Sequence, residues 1–299
     1  MPKHAHWDKG ACPLCPIFAA ALATCTLLFG CAAHAENTFD AATFDPVFEQ
    51  VLQRAETVAA NRQSASHIDL PSTAEAVSDR MPQPPLPDLA SLPAGTQLSA
   101  DQVAAYGEDA CFYVTEIDDA LFQRMYGLSY KEDCAVPRED LRYIRVLHVD
   151  IEGRILIGEL VMNAAVADDV CGIFHELYRA GYPIEKMHLV DDYGADDDAS
   201  MEDNNTSAFN FRVIPGTTVM SYHAQGLAID INPYYNPYVK VAQGSIAPAS
   251  AAQYADRSRD FDYKINRGDL CFQLFAKAGF VWGGDWTDPI DYQHFEYHL

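Results

Sequence analysis

The chain has 299 residues and a formal net charge of −23, and 49% of its residues are hydrophobic. This hydrophobic fraction is enough for a packed core, so the composition excludes a chain that is disordered overall. The strongly negative charge of the protein repels other polyanions. It therefore excludes nucleic acid and anionic lipid as partners that are bound through bulk electrostatic attraction.

The first segment has the pattern of an export signal. A lysine-containing start precedes the nearly uncharged apolar run CPIFAAALATCTLLFGCAAHA, which is short for a spanning helix and ends in small residues. Two processing sites compete: an AHA cleavage site ending at Ala35, and an LFGC lipoprotein box whose Cys31 would carry the lipid. An uncleaved anchor is a third alternative. We expect residues 1–35 to be a signal peptide or lipoprotein signal, which places the protein in the periplasm or cell envelope.

Four cysteines follow the signal segment: Cys111, Cys134, Cys171 and Cys271. In an oxidising compartment, four cysteines favour two disulfides with three possible connectivities. We take Cys111–Cys134 and Cys171–Cys271 as the working pairing. Four buried free thiols are the alternative.

Residues 36–105 are weakly patterned. The stretch FDPVFEQVLQRAETVAANR has apolar residues at helical spacing, and MPQPPLPDLASLPAG is too rich in proline to continue a helix or an inner strand. We interpret this region as an N-terminal extension and a semi-rigid spacer. Residues 106–299 then form the folded domain.

Within that domain, strand and helix patterns alternate without a repeat. RYIRVLHVDIEGRILIGELVMN predicts a hairpin around Gly153, and ADDVCGIFHELYRAGY predicts a helix that ends before Gly181. KMHLVDDYG, SYHAQGLAIDINP and DYQHFEYH predict strands, and GDLCFQLFAKAGF predicts a helix. The expected fold class is α+β: a small, mostly antiparallel sheet with packed helices around one zinc site.

Two segments that are distant in sequence carry candidate zinc ligands. In SYHAQGLAIDINP, His223 and Asp230 are separated by small residues and Gly226, which allow the chain to turn back on itself. In DYQHFEYH, His294 supplies a third ligand. Three protein ligands with a fourth position left for water are typical of catalytic zinc. Asp291, three residues before His294, is placed to accept a proton.

Two other histidine motifs are weaker candidates. FHEL in the predicted helix lacks the second histidine of an HExxH site because Arg179 stands in its place, so His175 and Glu176 are interpreted as ordinary helix residues. His298 shares a strand face with His294 and is its rival as third ligand. Glu296, between them, could orient a ligand or be a solvated acid.

The combined pattern SxHxxGxAxD with a late DxxH resembles the peptidoglycan metallopeptidases of family M15. AIDINPYYNPYV, YADRS and GFVWGGDW before DYQHFE resemble its M15C branch in order and spacing, over about residues 145–299. This group contains D-Ala-D-Ala carboxypeptidases and L-alanyl-D-glutamate endopeptidases.

The resemblance implies roles for six residues. The zinc ligands would be His223, Asp230 and His294, with Asp291 as general base. The resemblance also favours His294 over His298. Arg212 falls where the family places an arginine, which would stabilise negative charge on the scissile carbonyl oxygen, with a structural ion pair as the alternative. Ser221 would contact the substrate or merely the backbone. Apart from the resemblance, Trp282 and Trp286 could line a substrate groove because aromatic faces suit peptide and sugar surfaces, and core packing is favoured for at least one of them.

The expected function is zinc-dependent hydrolysis of an amide bond in peptidoglycan stem peptides. Which bond is cut is left open, and apart from a lipid anchor at Cys31 we expect a monomer. One alternative is a non-catalytic cell-wall-binding module with a structural zinc site, against which the presence of Asp291 argues. Another is a metal-free scaffold.

Overall fold

The computed structural model describes residues 85–299. The predicted signal segment, Cys31, the two processing sites and the first predicted helix lie outside the described residues. Between residues 85 and 299, no helix is both long and apolar enough to span a bilayer.

The largest sheet is built on the predicted hairpin. Leu141–Val149 (β3) and Ile155–Asn163 (β4) pair antiparallel over their whole length. The turn between them is held by Asp150, whose Oδ1 accepts the N–H of Glu152 at 3.0 Å and of Arg154 at 2.9 Å. Two outer strands complete an antiparallel sheet in the order β1-β4-β3-β2. These are Gln97–Leu98 (β1) and Tyr113–Glu116 (β2).

The sheet therefore includes residues from the stretch that we interpret as an extension. Gln97 pairs with Leu156 and Leu98 with Ile155. Leu98 is buried with Leu147 and neighbouring apolar side chains. Chain preceding residue 106 thus packs directly on the hairpin.

The predicted central helix spans Ala167–Arg179 (α3) and packs on β3. Asp168 and Asp169 lie in its first turn, where carboxylates favour the positive end of the helix dipole. The second predicted helix spans Leu270–Lys277 (α5) and packs on α3. The other α-helices of the described region are Ala100–Tyr106 (α1), Asp119–Met125 (α2) and Asp197–Glu202 (α4).

Two smaller antiparallel sheets carry the predicted site motifs. Their orders are β5-β10-β8 and β7-β6-β9. The strands are Ala228–Asp230 (β5), Tyr238–Lys240 (β6), Ser245–Ala247 (β7), Val281–Trp282 (β8), Ile290–Asp291 (β9) and His294–Glu296 (β10). The α+β class with antiparallel sheets is confirmed, with three sheets among the described residues instead of the single small one expected.

The core joins the helices to the site-bearing strands through aromatic contacts. The ring of Phe275 on α5 lies 6.3 Å from Phe174 on α3 and 4.7 Å from Phe295 on β10, centroid to centroid. All three side chains are fully buried. Since neighbouring residues of a strand face opposite ways, burying Phe295 turns His294 and Glu296 away from this core.

The strand expected at KMHLVDDYG is wrong. Residues 186–189 form one isolated bridge, from Lys186 to Asn205, and Val190–Tyr193 is a 3₁₀ helix. The Asn205 side chain takes the place of a neighbouring strand: its Oδ1 accepts the His188 N–H at 2.8 Å, and its amide donates to the His188 carbonyl at 3.0 Å.

The expected disulfides are also absent, because Cys111, Cys134, Cys171 and Cys271 are all free. Cys111 is buried with the β1 cluster, whereas Cys134 packs against a different cluster, so that pair is not brought together. Cys171 and Cys271 share one core cluster as buried thiols, and burial raises the pKa of both.

Candidate metal centre

Antiparallel pairing of β5 with β10 brings the two motif segments together. In the register of this pair, His294 lies directly opposite Asp230. Directly opposed residues project from the same face of a sheet and have Cβ atoms about 5 Å apart. As a result, His294 Nδ1 lies 2.9 Å from Asp230 Oδ1.

His223 reaches the same point from a 3₁₀ helix, Tyr222–Gln225, that precedes β5. The Ser221 hydroxyl caps this helix by accepting the His223 N–H at 3.3 Å. Gly226 ends it with a φ of +68°, and an added Cβ would stand 2.6 Å from the Asn163 nitrogen on β4. The turn that presents His223 is therefore pressed against the hairpin at a position where only glycine fits.

The three predicted ligands converge on one point. His223 Nε2 lies 3.2 Å from His294 Nδ1 and 3.3 Å from Asp230 Oδ2. Ligand atoms bound at about 2.0–2.1 Å to a tetrahedral zinc ion stand about 3.3 Å apart. The spacing of His223, Asp230 and His294 therefore fits one such ion.

The hydrogen bonds behind the two rings fix which nitrogens face the centre. His223 Nδ1 lies 2.6 Å from the Ala208 carbonyl oxygen, and His294 Nε2 lies 3.1 Å from Glu296 Oε2. Both partners are acceptors, so these outer nitrogens can donate to them, and His223 Nε2 and His294 Nδ1 face the centre. When only the outer nitrogens carry protons, two lone pairs and a carboxylate face one another, an arrangement that a cation stabilises.

The electrostatics of the buried cluster also favour positive charge at its centre. Burial opposes the shift, but the His223 and His294 rings hold the pKa of Asp230 well below its usual range. Burial lowers the pKa of His294, but hydrogen bonding to Asp230 and Glu296 outweighs it and raises that pKa to about 10.

The predicted base, Asp291, lies at the end of β9 beside this cluster. Burial, and then the negative charge of Asp230, raise the pKa of Asp291 to about 7. An added Cβ at Gly283 would stand 2.9 Å from Asp291 Cβ and 3.3 Å from His294 Cβ. Glycine at 283 thus lets the base and the ligand strand pack closely against the same turn.

The other predicted site residues surround the cluster. The Arg212 guanidinium forms an ion pair with Asp197 on α4, and its side chain is largely buried. The Trp286 ring centroid lies 5.4 Å from that of His294, so this indole borders the site and is partly exposed. Ser221 is buried and bound to the backbone of His223.

His298 stands outside the trio. Its Nε2 lies 2.8 Å from Glu296 Oε1, and its ring stacks on Tyr222 with centroids 5.0 Å apart. Glu296 therefore contacts His294 with one carboxylate oxygen and His298 with the other. The rival histidine supports the ligand strand from behind instead of joining the cluster.

Two further groups of acidic and histidine side chains occur in the described region: Glu108, Asp109 and His175, and Glu159, His188 and Asp192. Each already contains an arginine. Arg179 Nε lies 2.7 Å from Glu108, and Arg124 lies 2.6 Å from Glu159. Glu108 and Glu159 are thus already paired with guanidinium groups. In the first cluster, by contrast, the carboxylate pairs only with the two histidine rings among the described residues.

Some contacts of the site leave no sequence signal. The Ala208 carbonyl that orients His223 is a backbone group, and the acid that pairs with Arg212 is one of many nearby aspartates. By contrast, the role of Glu296 is detectable from its i, i+2 spacing after His294 on a strand.

One comparison with known proteins gives a match. Residues 215–297 match a protein-family model described as D-alanyl-D-alanine carboxypeptidase. This segment contains the three converging residues and Asp291. Among curated proteins and solved structures, no match to the chain is found.

Proposed function

We propose that this protein is a zinc-dependent peptidase of family M15 that hydrolyses amide bonds in the stem peptides of peptidoglycan. The match of residues 215–297 to the family model supports this proposal. The observation that carries the proposal is the convergence of His223, Asp230 and His294 with ligand atoms 2.9–3.3 Å apart. A peptidase of the D-alanyl-D-alanine carboxypeptidase kind is what the family match supports; the metal and the substrate are our inference.

The three converging side chains would hold the ion, and the region around Asp291 and Trp286 would receive the peptide. A bound zinc ion supplies a Lewis acid that polarises the scissile carbonyl and activates water near neutral pH.

Asp291 then moves the proton. Its carboxylate takes a proton from the attacking water and returns it to the departing amine nitrogen. Burial and the negative charge of Asp230 raise the pKa of Asp291, which favours uptake of a proton by its carboxylate.

Arg212 would stabilise the negative charge that develops on the carbonyl oxygen. Its ion pair with Asp197 engages part of the guanidinium and fixes its orientation. A guanidinium has five N–H donors, so others are free to reach a substrate oxygen.

An exported location fits this substrate. The proposed signal in residues 1–35 would deliver the enzyme to the compartment that contains peptidoglycan, either as a soluble protein or anchored through Cys31.

The decisive experiment is digestion of purified peptidoglycan with the wild-type protein and the Asp291→Asn variant, with mass spectrometry of the products. Wild type should release defined peptide fragments. Asp291→Asn should retain stoichiometric zinc but lose about 10²–10⁴-fold in rate, the usual contribution of a general base.

Release of products by the wild-type protein distinguishes the peptidase from the alternative function. A non-catalytic wall-binding module with structural zinc would keep its metal and release no products even as wild type. Unchanged turnover in Asp291→Asn would remove Asp291 from the mechanism.

A further inference from the structure

A second row of polar side chains lies beside the predicted base. Strand β6 pairs with β9, and Tyr238 is directly opposite Asp291. Their side chains therefore project from the same face of this sheet. Burial, followed by the charges of Asp291 and Asp288, raises the pKa of Tyr238, so its hydroxyl remains a protonated donor.

Lys240 continues this row. It is two residues from Tyr238 on the same strand and shares its face. The Lys240 Nζ lies 5.6 Å from the Tyr238 ring centroid, which shows that the ammonium leans along the strand towards Tyr238. Both side chains are partly exposed.

The Lys240 ammonium has no ionic partner in the described region. Within residues 85–299 it has neither an ion pair nor a hydrogen bond and lies over the Tyr238 ring, whereas the Arg212 guanidinium is paired with Asp197. The nearby acid Asp288 accepts the backbone N–H of Val241 at 3.0 Å. An unpaired ammonium close to a reactive centre, in a protein of net charge −23, is a group suited to an anionic part of the substrate.

We propose that Lys240, with the Tyr238 hydroxyl, binds a free carboxylate on the substrate residue whose nitrogen leaves. The inference rests on the proposed peptidase function and specifies its substrate class. A lysine ammonium is a point charge that attracts a carboxylate, and a tyrosine hydroxyl can donate a second hydrogen bond to it.

The reach of the row agrees with this assignment. Lys240 lies two residues beyond Tyr238, a distance of about 6.6 Å along the strand, and its side chain leans back towards the ring of Tyr238, the residue opposite Asp291. The free carboxylate of the leaving residue is on the same Cα as the leaving nitrogen, so its carbon lies only about 2.5 Å from that nitrogen. The ammonium is therefore positioned to detect the residue next to the cut.

Two substrates offer this chemistry. A terminal D-Ala carries its carboxylate at the end of the peptide, and a γ-linked D-Glu after L-Ala carries a free α-carboxylate. Both leave through the nitrogen of the residue that bears the carboxylate. Lys240 would thus require a free acid in either case, and the peptide that is cut identifies the source.

The test uses two matched peptide pairs. The first ends in D-Ala-D-Ala as free acid or as C-terminal amide. The second contains L-Ala-γ-D-Glu with a free α-carboxylate or with an α-carboxamide. We expect wild type to hydrolyse the acid member of one pair about tenfold or more faster than its amide, the range for a hydrogen bond to a charged group.

Substitutions test whether Lys240 and Tyr238 cause the preference for the free acid over the amide. Lys240→Gln should lower kcat/KM for the acid about tenfold, mainly through KM, and leave hydrolysis of the amide unchanged. Tyr238→Phe should lower it less. Lys277→Gln, at the last residue of α5 and with no ion pair to any of the described residues, makes the same charge change and should behave as wild type.

The outcomes separate the two proposals. Equal hydrolysis of acid and amide by wild type, or an equal loss on both in Lys240→Gln, would overturn the carboxylate assignment and leave the peptidase function intact. A wild type that holds zinc and cleaves neither these peptides nor peptidoglycan would overturn both. Zinc content and thermal unfolding of Lys240→Gln serve as checks that the variant is folded.

Discussion

Glu296 links a proposed ligand to the C-terminal segment. Its two carboxylate oxygens lie 3.1 Å from His294 Nε2 and 2.8 Å from His298 Nε2. A carboxylate behind a metal-binding histidine fixes the tautomer and raises the basicity of the ring, and its loss usually weakens metal affinity by about 10–100-fold.

We therefore expect Glu296→Gln to weaken zinc binding by about 10–100-fold, measured by competition with a chelator of known affinity. Glu132→Gln removes an exposed carboxylate far along the chain and is the matched control. An unchanged affinity in Glu296→Gln would show that the ring is oriented by packing alone.

His148 should make the fold sensitive to acid. Its Nδ1 lies 2.8 Å from the Ile184 carbonyl oxygen, while Nε2 is buried and finds no partner among residues 85–299. Burial lowers the pKa of His148 to about 4 from a usual value of 6.5. Between these values the unfolded chain binds a proton that the native protein does not, so stability falls as the pH is lowered through this window.

The shift corresponds to about 3 kcal/mol between pH 6.5 and 4. His148→Gln keeps a donor for Ile184 and should reduce the pH dependence of urea unfolding by about this amount. The zinc cluster is the same in both proteins, so its own pH dependence cancels in the comparison. Identical pH profiles would mean that His148 is already charged, or solvated, in the native state.

At the scale of elements, the turn before β5 determines where His223 is presented. Gly226 combines a φ of +68° with backbone of β4 at 2.6 Å from an added Cβ. Gly244 has a similar φ of +62° but nothing within 4 Å. The two positions therefore separate the cost of the left-handed conformation from the cost of a backbone clash.

Gly226→Ala should destabilise the protein by clearly more than Gly244→Ala and weaken zinc binding, because the turn must also move away from Asn163. Gly244→Ala should cost only about 1–2 kcal/mol of backbone strain and leave zinc binding unchanged. Denaturant unfolding and zinc titration of both variants test this; equal losses would mean that the turn can yield without moving His223.

The elements that the sequence predicts well are the long ones. β3, β4 and α3 each carry nine or more residues of clear periodicity. By contrast, residues 186–189 have a strand-like pattern, but the side chain of Asn205 binds both backbone groups of His188, and no local pattern encodes a distant amide. The cysteines are a second example, because local sequence does not show which hydrophobic cluster each cysteine joins and therefore which cysteines could meet.

The site divides in the same way. His223, Asp230 and His294 are predictable because a metal restricts ligand type and number. Their register, His294 opposite Asp230, follows from a strand pairing of three residues that sequence alone does not specify. Lys240 is less predictable still, since its relation to Asp291 depends on the pairing of β6 with β9.

For the molecule as a whole, the proposed metal acts as a link between segments distant in sequence. The cluster joins the turn before β5 to β10, and through Phe295 that strand joins α5 and the core. With the ion removed, two imidazole lone pairs and a carboxylate would face one another, and the cluster would need a proton in place of the metal.

Chelation should therefore lower the midpoint of thermal unfolding, and added zinc should restore it, with a shift that grows as RT ln(1 + [L]/Kd), about 4 kcal/mol at 1,000-fold saturation. Asp291→Asn should show the same shift, because the base is not a ligand. His294→Ala should show almost none. Equal midpoints for wild type with and without chelator would indicate that packing alone holds the two segments together, and would favour a metal-free scaffold over a zinc peptidase.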